Sequence, residues 1–135
     1  MANSTSINAA MRSRQSGLIV CGTDTDVGKT VVSTWLVQGL NAIYWKPIQS
    51  GLDAGGDTGK VCRLLNLPKE RWIQEVYKFK APVSPHWAAE LENKIVDPKK
   101  LELPSTQNTL VIETAGGLLV PLNRQLLQID QINQF

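Results

Sequence analysis

The chain has little of what marks the specialised protein classes. Its 135 residues include only two cysteines, Cys21 and Cys62, and one histidine, His86. Two cysteines without metal-ligand spacing argue against a disulfide framework, and both are read as reduced packing residues of a cytoplasmic protein. Long apolar runs are lacking too. The longest, such as Leu18 to Cys21 and Leu118 to Val120, fall far short of the roughly 20 residues that a bilayer span requires, so no membrane association is expected. Neither sign of charge dominates: 14 basic and 12 acidic residues leave a formal net charge of +2. No basic cluster is interleaved with aromatics, so no nucleic-acid partner is expected. There is no internal repeat. With 42% hydrophobic and 19% charged residues the composition is that of a soluble globular protein. A chain of this length builds one core, since a domain takes about 100 to 200 residues.

What is present is an ordered alternation of strand-like and helix-like segments. Residues 1–16 are polar, serine-rich and free of acid; lacking an amphipathic repeat, they read as a disordered polar tail rather than a transit peptide. From residue 17 to 135 the chain reads as one nucleotide-binding domain. Gly17 to Cys21 is a short apolar run of the kind that forms a buried parallel strand. Val27 to Leu40 carries Val31, Val32, Trp35, Leu36 and Leu40 near helical spacing, with Asn41 to stop it. Ala42 to Trp45 reads as a second strand closed by Lys46-Pro47, Asp57 to Leu65 as a helix, and Val76-Tyr77 as a short strand. Ser84-Pro85 is a helix start, with the helix running to about Asn93. Asp97 to Asn108 is connector, and Thr109 to Glu113 is a strand. Trp35, Trp45, Trp72 and Trp87 read as packing. This alternation predicts an α/β fold, a P-loop NTPase-type parallel sheet flanked by helices, with ligands at the carboxyl ends of the strands.

Polar constellations sit at those ends. Gly22 to Thr30 joins the first strand to the first helix, and ends in Gly28-Lys29-Thr30. Such a loop holds phosphate oxygens on successive backbone N–H groups at the positive end of a helix, with the lysine on the β and γ phosphates and the threonine hydroxyl on magnesium. Five residues rather than four separate Gly22 from Gly28, so the general pattern is missed by one residue. A strand-to-helix turn containing Gly-Lys-Thr is the plain alternative. Lys46 follows the second strand, as a site lysine or an exposed turn lysine. Asp57 opens a helix, as a magnesium ligand or a cap. Glu113 ends an apolar strand, as a metal ligand or water-positioning group, or as its first solvated residue.

Taken together and in order, these segments resemble dethiobiotin synthetase, the ATP-dependent enzyme of biotin synthesis. Gly22 to Thr30 resembles that family's longer P-loop, and Tyr44 to Gly51 its second-lysine motif. Ala81 to Ala89 resembles its proline-rich segment, and Glu113 to Leu122 its Glu-Gly-Ala-Gly-Gly strand end. The resemblance implies that 7,8-diaminononanoate takes up carbon dioxide as a carbamate, which ATP phosphorylates to a carbamic-phosphoric anhydride. The second amine then closes the ring, giving dethiobiotin, ADP and phosphate. It further implies Thr30, Asp57 and Glu113 as Mg2+ ligands. Asp26, Val27, Gly28, Lys29, Thr30 and Val31 would wrap the ATP phosphates, joined by Asp57, Glu113, Thr114, Ala115 and Gly116. Lys46 and Lys29 would stabilise charge in the reaction, Thr25 and Ser50 would hold the diamine and carbamate, and the partners would be small molecules and a second subunit of a homodimer.

Two departures set expectations of their own. Thr114 stands where the family has a glycine, and a β-branched residue there disfavours positive φ and narrows the approach to the phosphates. The sequence ends at Phe135, before the family's adenine-binding, dimer-contact and substrate-carboxylate segments. A shortened fold without its C-terminal part, with reduced activity, is therefore expected. Two other functions share this fold: a partner-regulated ATPase switch, whose signature lysine is replaced here by Asp24, and a non-catalytic regulatory domain.

Overall fold

In a computed structural model, residues 16–135 are described. The expected tail lies outside them apart from Ser16. That residue is tied down: its carbonyl accepts from the Leu110 amide at 3.0 Å, and its hydroxyl pairs with that of Thr109.

Four strands form the main sheet: β1 (Gly17–Val20), β2 (Ile43–Trp45), β4 (Trp72–Ile73) and β6 (Leu110–Glu113). Their spatial order is β1-β6-β2-β4 and every pairing is parallel. All carboxyl ends therefore share one rim. Strand β6 is buried along its whole length because it lies between β1 and β2 with both faces covered. Val111 joins Val20, Tyr44, Val37 and Val61 on one face; Leu110 and Ile112 join Trp45 on the other. This is the period-two alternation of a strand, and it places Glu113 on the face of Val111.

Helix α1 (Lys29–Gly39) and helix α2 (Gly56–Leu65) cover that face. Helix α1 ends as expected, with Asn41 at φ 50°, a left-handed conformation that asparagine tolerates. Its orientation differs from the expectation. The buried face carries Lys29, Ser33, Thr34 and Val37, whereas Val31, Val32, Trp35 and Leu40 are exposed and only Leu36 packs inward. The cause is helical phase: with Lys29 turned into the loop, positions 33 and 37 follow it onto the sheet, and positions 31 and 35 face away. Trp35 and Trp87, 71% and 53% exposed, are therefore not packing residues, while Trp45 and Trp72 are. Cys21 is likewise exposed; Cys62 is half-buried, and burial raises its thiol pKa.

The segment after Lys46 is more than a turn. Strand β3 (Ile48–Ser50) pairs in parallel with β5 (Tyr77–Phe79), the strand expected one residue earlier, in a separate two-stranded sheet. Ile48 and Phe79 anchor it in a third cluster with Ala88 and Ala89 of α3 (Pro85–Leu91). Ser84 precedes Pro85 as expected, but its hydroxyl pairs with His86 Nδ1 rather than with the helix backbone. The short β4 and helix α4 (Gln128–Ile132) have no counterpart in the sequence reading. No helix among the described residues is long and apolar enough to cross a membrane.

Candidate functional site

Along the shared rim, the loop after β1, Lys46 after β2 and Glu113 at the end of β6 border one cavity of about 570 Å3. Gly28, at φ 100°, turns the loop into α1. No side chain caps this helix, so its leading N–H groups are left for an anion. Asp24, Thr25, Asp26, Gly28, Lys29, Thr30 and Val31 line the cavity. Val27 does not: it is exposed and lies over Gly22. Lys29 Nζ donates to the Asp24 carbonyl, holding the ammonium over its own loop. Burial, and then the Lys46 charge, lower its pKa below the ordinary lysine value.

Across the cavity, Lys46 is almost fully buried between two carboxylates, with Nζ 2.7 Å from Asp57 Oδ2 and 3.0 Å from Glu113 Oε1. Burial opposes its charge, but Glu113 and Asp57 outweigh that and raise its pKa. Burial likewise opposes the Asp57 charge, and Lys46 with Lys60 outweighs it, lowering that pKa. The signs are complementary. The Lys46 contribution to stability is lost only as pH rises through its raised pKa, and that of Asp57 only as pH falls through its lowered one. Lys46 and Asp57 are therefore both charged across the neutral range.

Thr30 Oγ1 donates to the same Glu113 Oε1 at 2.9 Å. Thr30, Asp57 and Glu113 thus offer hard oxygen donors around one point of positive charge, a donor set that suits Mg2+. That ion binds through one or two carboxylates and keeps water and phosphate oxygens for the rest. Ser50 also lines the cavity, and its hydroxyl has no hydrogen-bond partner among the described residues. Asp57 is not the cap of α2; Gly55 holds that position.

Thr114 departs from the expectation. The positive φ of this turn falls at Gly116, at 63°, not at Thr114. Thr114 instead extends the strand end, with its amide and hydroxyl both donating to the Val20 carbonyl, at 3.0 and 3.3 Å. Its side chain is buried and lines no part of the cavity, so it does not narrow the approach; only its carbonyl, 3.5 Å from Lys46 Nζ, reaches the site. Ala115 and Gly116 do line the cavity. Beyond them, a Cβ on Gly117 would collide with the Thr23 carbonyl oxygen of the phosphate loop. Gly117→Ala is expected to push the two loops apart, lowering stability by about 1–3 kcal/mol and weakening nucleotide binding. Urea unfolding and calorimetric titration check this, and unchanged values in both would refute it.

Among the residues that the sequence reading did not assign to the site are Gln49, Lys60 and Tyr44. Gln49 Oε1 accepts the Asp57 amide at 3.0 Å while its Nε2 donates to the Ser50 and Gly51 carbonyls. It thereby ties the β3 end to the start of α2. Lys60 Nζ lies 3.1 Å from Asp57 Oδ1. Tyr44 donates its hydroxyl to Glu113 Oε2 at 3.0 Å; burial, then the negative charge of Glu113, raise its pKa well above the ordinary tyrosine value. The alternation of β2, which puts residues 44 and 46 on one face, was the signal for Tyr44.

The family described as AAA domain matches residues 16–135. The chain is 50% identical over 115 residues to the ATP-dependent dethiobiotin synthetase BioD of Rhodopseudomonas palustris strain BisA53, covering 85% of this chain and 54% of that protein. It is 53% identical over 113 residues to the protein of the same name from strain BisB5, covering 84% and 53%. The namesake from Rhizorhabdus wittichii is 50% identical over 113 residues, covering 84% and 54%. The chain thus spans about half the length of the curated relatives it matches.

Proposed function

Since the chain belongs to the family described as AAA domain, we propose that its cavity is the phosphate- and carbamate-handling part of a dethiobiotin synthetase site. The observation that carries this reading is the pairing of two lysines on one cavity, Lys29 on the phosphate loop and Lys46 between Asp57 and Glu113. A phosphate loop alone serves any nucleotide. A second buried cation opposite it serves a reaction in which an anionic acceptor must approach an anionic phosphoryl group.

In this reading the α1 N-terminus and Lys29 hold the ATP phosphates. Thr25 and the free hydroxyl of Ser50 orient the carbamate formed from one amine of 7,8-diaminononanoate and carbon dioxide. The carbamate oxygen attacks the γ-phosphorus and the bond to ADP breaks. The second amine then attacks the carbamate carbon, the carbon–oxygen bond to phosphate breaks, and a proton leaves the nitrogen. Lys46 and Lys29, fixed before the reaction, stabilise the charge that develops on the transferred group. Thr30, Asp57 and Glu113 would hold Mg2+, which neutralises phosphate charge. Two free cysteines fit a reducing cytoplasm.

The test is to supply the chain with Mg-ATP, bicarbonate and 7,8-diaminononanoate. ADP and dethiobiotin are expected in equal amounts, and only when all three are present. ADP release that ignores the diamine would point to an ATPase switch, and failure to bind nucleotide at all would overturn the site.

A further inference from the structure

We infer that Tyr44 is a positioning residue, which fixes the Glu113 carboxylate so that one oxygen is kept for the cation and phosphate side of the cavity. The inference rests on reading Glu113 as a metal ligand. Tyr44 is fully buried, and its ring belongs to the cluster of Val20, Val37, Ala42, Val61 and Val111. A phenylalanine would fill that space without placing a hydroxyl among apolar groups, where an unpaired one is costly. The hydroxyl leaves the apolar cluster at one point only, the 3.0 Å bond to Glu113 Oε2.

The division of labour on Glu113 follows from strand geometry. Tyr44 pairs in register with Val111, two residues before Glu113 on the same face. The phenol thus approaches from beneath the rim and takes Oε2. Thr30 and Lys46 approach from the cavity side and share Oε1. Without the phenol, Oε2 would be a buried carboxylate oxygen lacking this donor, and the carboxylate would be held through Oε1 alone, less firmly oriented than with a donor on each oxygen. Partners of this kind behind a metal-binding carboxylate typically matter 10–100-fold for metal affinity.

The experiment is a double-mutant cycle read by Mn2+ binding rather than turnover. Wild type, Tyr44→Phe, Glu113→Gln and the double variant are titrated with Mn2+ in the presence of a non-hydrolysable ATP analogue, followed by electron paramagnetic resonance. Tyr44→Phe is expected to weaken Mn2+ about tenfold with nucleotide affinity in EDTA changed less than about twofold. The double variant should bind no more weakly than Glu113→Gln, because the phenol acts through that carboxylate. Tyr44→p-aminophenylalanine, which returns an N–H donor to the ring, should restore the affinity.

Wild-type Mn2+ affinity in Tyr44→Phe would overturn the inference. So would an equal loss in both backgrounds, or a Tyr44→Phe chain that no longer folds, since the role would then be one of stability. If Glu113→Gln itself leaves Mn2+ binding intact, the metal-ligand reading beneath it fails instead.

Discussion

Lys46→Met is expected to cost the fold about 3–5 kcal/mol, because it removes the cation shared by two carboxylates in a largely buried site. Against typical domain stabilities of about 5–15 kcal/mol that is a large fraction, and the urea midpoint should fall accordingly. The charge pairing that makes the effect large is direct: Nζ lies 2.7 Å from Asp57 and 3.0 Å from Glu113 while only 4% of Lys46 is exposed. The loss should also carry a pH signature. In the wild type the Lys46 pKa is raised and that of Asp57 lowered, so the network persists through the neutral range. In the variant, Asp57 loses the charge that lowers its pKa and takes up a proton more readily, so the stability deficit should shrink as pH falls. Adding Glu113→Gln should recover part of the stability by removing one orphaned charge. A midpoint equal to wild type at neutral pH would show that the ammonium is not part of the buried charge balance.

Lys29→Ala should act almost entirely on nucleotide binding. Among the described residues its Nζ donates to one backbone carbonyl and to no carboxylate, and its lowered pKa marks a buried charge that the fold does not favour. Stability should therefore change less than binding, where loss of a charge-assisted contact to phosphate is worth about 1.5–3 kcal/mol, or about 10–150-fold in Kd. Burial and the neighbouring Lys46 charge lower the Lys29 pKa, which sets the pH dependence. In the nucleotide-free protein, protonated Lys29 is a cost to folding that disappears as pH rises, and a bound triphosphate removes that cost by favouring the charged form. Wild-type affinity should therefore weaken on the alkaline side, starting below the ordinary lysine pKa, and Lys29→Ala should flatten that limb. Titration calorimetry across the pH range reads both effects; a variant with wild-type Kd would remove Lys29 from the phosphate site.

The two lysines also show how far the sequence reaches. The phosphate loop was legible because its parts are neighbours in the chain: an apolar strand, a glycine turn and the start of a helix follow one another, and Gly28 adopts the positive φ that such a turn uses. Lys46 was legible as a residue at a strand end, since Pro47 closes β2 locally. Its burial was not, because that depends on Asp57 and Glu113, which lie 11 and 67 positions away.

The α/β class, the order of the motifs and their place on the carboxyl rim of a parallel sheet can be read from the chain alone. Short-range turn chemistry and hydrophobic runs specify those. What the motifs meet depends on packing between distant segments. Inserting β6 between β1 and β2 brings Glu113 to Thr30 across 83 positions. Anchoring Lys29 in the loop sets the phase of α1 and turns Val31 and Trp35 outward. The alternation of β2 delivers Tyr44 to the far oxygen of Glu113. Strand order, helix phase and side-chain facing are properties of non-local packing. Residue spacing bounds them, and the folded core selects among the arrangements that remain.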